Sequence, residues 1–263
     1  MRGTDVCLFW QSRELPWTLN EAGSRRIPFE ALRAAIRDSF RAWEEVECTD
    51  LRFLERDPSA EHRVGFAGDA ADNLLVFRTR ACEDFVEARD PCWDDFSCGN
   101  AYRCWSFASG VIAVTTTSYR EDTGEIVDAD IEFNEATFRF TVDDGPPCRG
   151  ERDAGCVATD LANTATHEIG HVLGIDHSDV SGATMYASAE HGETSKRTLA
   201  RDDVDAVCAI YPAGAAVNVC EEAYGQRIER GDDGGCAHAG GGVEGFVGVL
   251  AAAAGLRRGG RQG

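Results

Sequence analysis

The chain has 263 residues, of which 46 are Asp or Glu and 26 are Lys or Arg, so its formal net charge is −20. That excess of negative charge argues against binding to nucleic acid, whose phosphates it would repel, and against adsorption to anionic lipid. The length suits one domain of about 200 residues with a substantial core, together with an appended segment.

Apolar periodicity predicts a mixture of helices and strands. Residues 28–46 form the clearest helix, because apolar side chains recur every three or four positions and Pro28 suits a first turn. Alternation over 126–134 indicates a strand with one buried and one hydrated face. Such a mixture implies an α+β fold, a twisted mixed sheet backed by helices. Further strands are predicted at 51–54, 74–77 and 111–117, and further helices at 160–173 and 202–211.

The cysteine content indicates an oxidising compartment. Eleven dispersed cysteines without a Cys-x-x-Cys pair predict disulfides in a secreted or cell-surface protein. Ten of them precede residue 221 and would form five bridges, which leaves Cys236 over. Short loops favour the pairs Cys148–Cys156 and Cys208–Cys220, and the remaining connectivity stays open. The first ten residues contain no leader, so we expect a leader to have been removed or to lie upstream.

Residues 167–177 read His-Glu-Ile-Gly-His-Val-Leu-Gly-Ile-Asp-His, a pattern typical of a zinc site with its own general base. On a helix, His167 and His171 lie one turn apart on the same face and reach one metal. Gly174 allows the left-handed turn that brings His177 in as third ligand. Glu168 is close enough to take a proton from the metal's water. Three protein ligands leave a coordination position open, which indicates a catalytic zinc.

These residues, with Met185 and Tyr186 downstream, resemble the metzincin clan of zinc endopeptidases and, within it, a bacterial member of the matrixin family. Ser178 directly after the third histidine and the segment 199–211 are similar to the same family. The resemblance covers residues 8–212. It implies a catalytic domain over 1–212, with an active-site helix under the sheet and a small subdomain after the zinc motif.

The resemblance also implies an activity. A zinc ion on the three histidines activates water, and Glu168 accepts its proton and delivers it to the leaving amine. Met185 supports the histidines by packing, and residues 178–187 wall a substrate pocket. Strand 111–117 is the candidate rim that pairs with the substrate backbone, with an ordinary internal strand as the alternative. We expect extracellular protein or peptide substrates and a monomeric enzyme.

Calcium is a second candidate ion. Asp128 and Asp130, or Asp69 and Asp72, are candidate ligands, and ordinary solvated carboxylates are the alternative reading. The chain has no second histidine cluster, so the additional structural zinc of vertebrate matrixins is not expected.

Residues 213–263 differ in composition from the rest. The segment is dense in glycine from residue 231, and its apolar run over 246–256 is shorter than the ~20 residues needed to span a bilayer. Cys236, this run and the arginines that follow it resemble the sorting tails of myxobacterial surface proteins. We expect a linker and sorting or anchor tail, dispensable for catalysis, through which any membrane contact is made. A disordered linker with an incidental alanine tract is the alternative.

Two other classes of function remain open. The chain could be a surface adhesion or peptide-binding module that kept the fold without activity, or a disulfide-stapled structural protein with an incidental metal. The intact Glu168 favours the enzyme, because binding alone would not need a base.

Overall fold

The computed structural model describes residues 7–66, 72–150 and 153–216, together with the backbone of 243–252. A mixed sheet and two long helices form most of it. Its strands are β1 (Glu14–Leu19), β2 (Arg52–Glu55), β3 (Leu74–Arg78), β4 (Val111–Arg120), β5 (Ile126–Asn134), β6 (Phe140–Thr141), β7 (Thr159–Asp160), β8 (Ser188–Ala189) and β9 (Val243–Ala252), and its helices are α1 (Phe29–Glu44), α2 (Cys98–Tyr102), α3 (Leu161–Val172) and α4 (Arg201–Ile210).

The main sheet begins with five strands in the order β2-β1-β3-β5-β4. The first four are mutually parallel, whereas β4 runs antiparallel to β5. Beyond β4 the sheet continues through β9, which is antiparallel to β4, to the short β8, which is parallel to β9. β6 and β7 form a separate parallel pair. The predicted α+β class with a mixed sheet is therefore confirmed.

Helix α1 fixes the position of α3 on the sheet. Its apolar stripe, predicted from the three-to-four-residue spacing, is buried at Leu32, Ile36 and Phe40. Trp43 in its last turn is fully buried and donates its indole N–H to the Thr166 carbonyl of α3, at 2.9 Å. The two helices therefore pack as one unit, and α3 cannot shift along the sheet without breaking that bond.

Four disulfides join the described residues: Cys48–Cys208, Cys82–Cys104, Cys92–Cys98 and Cys148–Cys156. The predicted pair Cys148–Cys156 is present. The predicted pair Cys208–Cys220 is wrong, because Cys208 in α4 bonds to Cys48 in the loop after α1. The chain returns to that loop after α4, where the Ala213 amide donates to the Cys48 carbonyl at 2.8 Å. Cys220 and Cys236 lie outside the described residues.

Within the residues that the structure describes, no helix has the length and apolarity needed to cross a membrane. Most of the apolar run predicted at 246–256 falls in β9, and residues 253–256 lie outside the described part.

The Cys48–Cys208 bridge is predicted to contribute more stability than Cys92–Cys98. The two bridges close loops of 160 and 6 residues, and loop-closure entropy gives about 5 and about 2 kcal/mol, respectively. Replacing both cysteines of each pair by alanine and measuring urea unfolding of the oxidised protein checks this. An equal loss in the two variants would contradict the entropic explanation.

Candidate active site

Three histidine side chains converge where α3 ends. His167 and His171 lie one turn apart in α3, and His177 follows in the next loop. One ring nitrogen of each lies within 4.8 Å of the others, with the first two rings buried and the third exposed. Gly174 allows the chain to reverse after α3, which brings His177 back to the other two histidines. Its φ is +82°, and a Cβ there would lie 2.6 Å from the Leu8 carbonyl oxygen. The sequence-predicted ligands are therefore brought together.

Main-chain carbonyls orient two of the imidazoles. His167 Nδ1 lies 2.6 Å from the Thr184 oxygen, and His171 Nδ1 lies 2.8 Å from the Ile175 oxygen. A carbonyl only accepts hydrogen bonds, so each Nδ1 carries the proton and each Nε2 presents a lone pair. This is the arrangement by which neighbouring groups fix the tautomer of metal-binding histidines.

The nitrogens that face one another fit a metal ion. His171 Nε2 and His177 Nε2 are 3.2 Å apart, close to the separation of about 3.3–3.4 Å between two ligands at about 2.0–2.1 Å from a tetrahedral zinc. His167 Nε2 is buried and has no hydrogen-bond partner among the described residues. Since a buried lone pair without a partner is costly, a cation at this point would satisfy it.

Burial also keeps the two inner imidazoles neutral. It lowers the pKa of His167 well below its ordinary value, with further lowering by the nearby His171. Burial, with His177 nearby, lowers the pKa of His171 to about 3. Neutral imidazole is the form that binds metal, so neither ring needs to lose a proton before binding at neutral pH.

Glu168 is fully buried beside the histidines. The hydroxyl of Thr115, on β4, lies 2.6 Å from Glu168 Oε2 and 3.2 Å from the Glu168 carbonyl oxygen. This contact fixes the carboxylate between α3 and β4. Sequence reasoning included Thr115 in strand 111–117, the candidate substrate-pairing rim, but did not identify it as a partner of Glu168.

Met185 is buried against the active-site helix at Gly170. A Cβ on Gly170 would lie 2.2 Å from Met185 Sδ and 3.0 Å from Trp43 Cζ2. The glycine is therefore required for the close approach of the methionine and the tryptophan to α3. Sequence reasoning identified Met185 and passed over Gly170.

Two buried charges hold the loop that contains Met185. The Asp203 carboxylate accepts from the Thr184 and Met185 amides, at 2.8 and 2.9 Å. Lys196 Nζ lies 3.2 Å from the Thr184 carbonyl oxygen and 2.6 Å from that of Tyr186, although burial lowers the pKa of its ammonium. Thr184 O thus accepts from both Lys196 and His167. Lys196 is the single lysine of a chain with 25 arginines, a signal that could have identified it.

The candidate calcium residues form a separate acidic site. Asp128 and Asp130 on β5 are buried, which does not fit solvated carboxylates. Asp130 accepts from the Gly65 and Leu74 amides, both at 2.6 Å. Burial and the charge of Asp130 raise the pKa of Asp128 to about 8, and burial raises the pKa of Asp130 to about 6. Asp72 borders the same cavity of about 740 Å³, whereas Asp69 lies outside the described residues.

Comparison with known proteins gives one family match. The family model for Matrixin matches residues 101–212, which include β4, β5, the three histidines and α4. Metalloendoproteinase 1-MMP of Arabidopsis thaliana is 26% identical over 183 residues, 69% of this chain and 38% of that protein.

Shorter stretches match other relatives more closely. Neutrophil collagenase of Homo sapiens is 49% identical over 47 residues, 18% of this chain and 10% of that protein. Karilysin of Tannerella forsythia is 43% identical over 68 residues, 24% of this chain and 14% of that protein. The chain therefore spans less than two fifths of the length of the relatives it matches. With the fold, these matches support a metzincin-like metalloprotease. The matrixin family, to which residues 101–212 are similar, implies a zinc ion, and three histidines are clustered in this chain.

Gly170→Ala is predicted to weaken both the fold and metal binding. The added methyl group must displace Met185 or Trp43, and overpacking of this kind costs about 1–3 kcal/mol. Urea unfolding and a competitive zinc titration measure the two effects. Gly182→Ala is the matched control, because a Cβ there meets no atom within 4 Å. Equal behaviour of the two variants would contradict the packing role.

Proposed function

We propose that this protein is a zinc-dependent endopeptidase that hydrolyses peptide bonds of extracellular protein substrates. His167, His171 and His177 hold the zinc, and Glu168 is the general base. One observation carries the proposal: three ring nitrogens lie within 4.8 Å of one another beside a fully buried glutamate. A purely structural metal would not need that carboxylate.

The chemistry divides between the ion and the chain. His167, His171 and His177 would hold a zinc ion, and the ion would supply a water molecule with a pKa lowered toward ~7 and would polarise the scissile carbonyl. Glu168, which follows His167 in the chain, accepts the proton of that water. The Thr115 hydroxyl holds the Glu168 carboxylate in one orientation for this step. Glu168 then delivers the proton to the departing amine, and the peptide bond is broken with one water consumed.

Residues after the third histidine position the substrate in this proposal. Ser178 and Tyr186 form a β-bridge that closes the loop between them, which contains Met185. In this bridge the Ser178 amide donates to the Met185 carbonyl at 2.9 Å. Gly174 starts this loop, and Lys196 and Asp203 stabilise its far side. We infer that residues 178–187 wall the pocket for the side chain that follows the scissile bond.

The disulfides support an exported enzyme, because such bridges persist in oxidising compartments. A sorting or anchoring role for residues 213–263, monomeric state and the identity of the substrates stay predictions. The adhesion-module alternative differs from the enzyme in one measurable respect, since it would not depend on Glu168.

We also propose that the acidic site binds calcium through Asp128 and Asp130, with Asp72 nearby. Asp128 Oδ2 is buried without a hydrogen-bond partner among the described residues. A divalent cation would compensate the negative charge that Asp128 acquires when it loses its proton beside Asp130, and calcium prefers oxygen ligands of this kind.

Glu168→Gln is predicted to retain zinc and the fold while losing peptide hydrolysis by several orders of magnitude, because only the proton acceptor is removed. Metal analysis and digestion of a mixed peptide library, with and without a zinc chelator, provide the measurements. His177→Ala is the complementary variant and should lose zinc. Near-wild-type cleavage by Glu168→Gln would rule out the assigned base, and unchanged zinc in His177→Ala would rule out the third ligand.

The acidic site is predicted to make stability depend on pH and calcium. The unfolded Asp128 carboxyl loses its proton near pH 4, whereas the folded one keeps it until about pH 8. In chelated protein the free energy of unfolding should therefore fall as pH rises through this window. Calcium should restore stability at pH 8. Thermal unfolding of wild type and Asp128→Asn tests both effects, and an unchanged calcium response in the variant would exclude this site.

A further inference from the structure

Strand β9 lies between two strands that belong to different parts of the candidate active site. It runs antiparallel to β4 along nearly the whole of that strand, from Val243 opposite Arg120 to Ala251 opposite Val111. On its other side it runs parallel to β8, with Ala251 opposite Ser188. A backbone segment paired on both sides in this way fills the gap between β4 and β8.

Both strands that pair with β9 are close to residues of the candidate active site. Thr115 of β4 holds the Glu168 carboxylate, and the residue of β9 opposite Thr115 is Gly248. β8 comes shortly after Met185, which packs under the active-site helix at Gly170. β9 also approaches α3 itself, with Cα atoms of the two elements within 8 Å. The middle of β9 therefore lies opposite the β4 residue whose hydroxyl contacts the Glu168 carboxylate.

We propose that residues 243–252 are an intramolecular ligand of the catalytic cleft and occupy the place of a peptide substrate. This inference rests on the proposed endopeptidase function. Pairing of an extended peptide with an exposed sheet edge provides main-chain hydrogen bonds that are largely independent of side-chain identity. The same edge of β4 cannot pair with β9 and with a substrate at the same time.

The tether makes this competition effective. A segment joined to its own binding site acts at an effective concentration in the millimolar range, so even weak strand pairing keeps the cleft filled. A substrate must displace β9 before it binds, whereas the chemical step is unaffected once it has bound. The apparent KM of the full chain should therefore be raised, with kcat unchanged.

The residues that precede β9 form an extensive apolar core and four disulfides among themselves. Among the residues whose burial is described, the main apolar cluster runs from Leu8 to Tyr211, and the four described disulfides lie before residue 209. Displacement of β9 should therefore leave the domain folded, which separates a regulatory role from a structural one.

The test uses the full-length, zinc-loaded chain with Val247→Pro and Gly248→Pro together. Successive N–H groups of a strand point to opposite sides, so adjacent prolines remove at least one N–H that faces β4. The matched control is Ala239→Pro with Gly240→Pro, upstream of β9. A reporter peptide chosen from the library digest gives KM and kcat. We expect the strand variant to lower KM about tenfold or more at constant kcat, with thermal unfolding close to wild type and the control unchanged.

A second measurement does not require activity. Amide hydrogen exchange of β4 (111–120) should be about tenfold or more faster in the strand variant than in the control, because β9 no longer covers that edge. Equal exchange of β4 in both variants overturns the proposal, whether or not any peptide is cleaved, and so does an equal KM. Failure of the proposed function has a different signature, in which neither variant cleaves any peptide while the difference in exchange persists.

Discussion

The hydrogen bond from His167 Nδ1 to the Thr184 carbonyl joins the two halves of the candidate site. This bond of 2.6 Å fixes the His167 ring, on α3, to the loop that contains Thr184 and Met185. Lys196 and Asp203 in turn hold the same loop through its carbonyls and amides. The orientation of the His167 ring thus depends on a loop that two buried charged groups hold in place.

Local spacing was sufficient to predict that the three histidines converge. His167 and His171 are one helical turn apart and Gly174 reverses the chain, so their convergence follows from helix geometry alone. Thr115 and Asp203 could not be found this way, because each meets the site from a distant segment and is of a common residue type. The same limit explains the wrong partner for Cys208, since short sequence separation favoured Cys220 whereas the fold brings Cys48 close.

The composition of residues 213–263 predicted a segment separate from the catalytic domain. The local pattern could not predict that part of this segment pairs with β4. Glycine density and a short apolar run describe a segment with too little side-chain surface to form its own core. Strand pairing needs no such core, because main-chain groups provide the bonds and an existing edge supplies the partner. For residues 243–252, strand β4 supplies that edge.

Strand β9 covers a sheet edge that a site of this type must keep available for pairing. A strand as long as the ten-residue β4 is a template for pairing with other chains when its outer edge is left bare. An enzyme that binds substrates by adding a strand cannot remove that edge with a bulge or a proline without losing its binding surface. In the arrangement that we propose, coverage by residues 243–252 protects the edge and is reversible. Under the proposed function, the edge that pairs with the substrate is therefore also the edge with most need of an intramolecular cover.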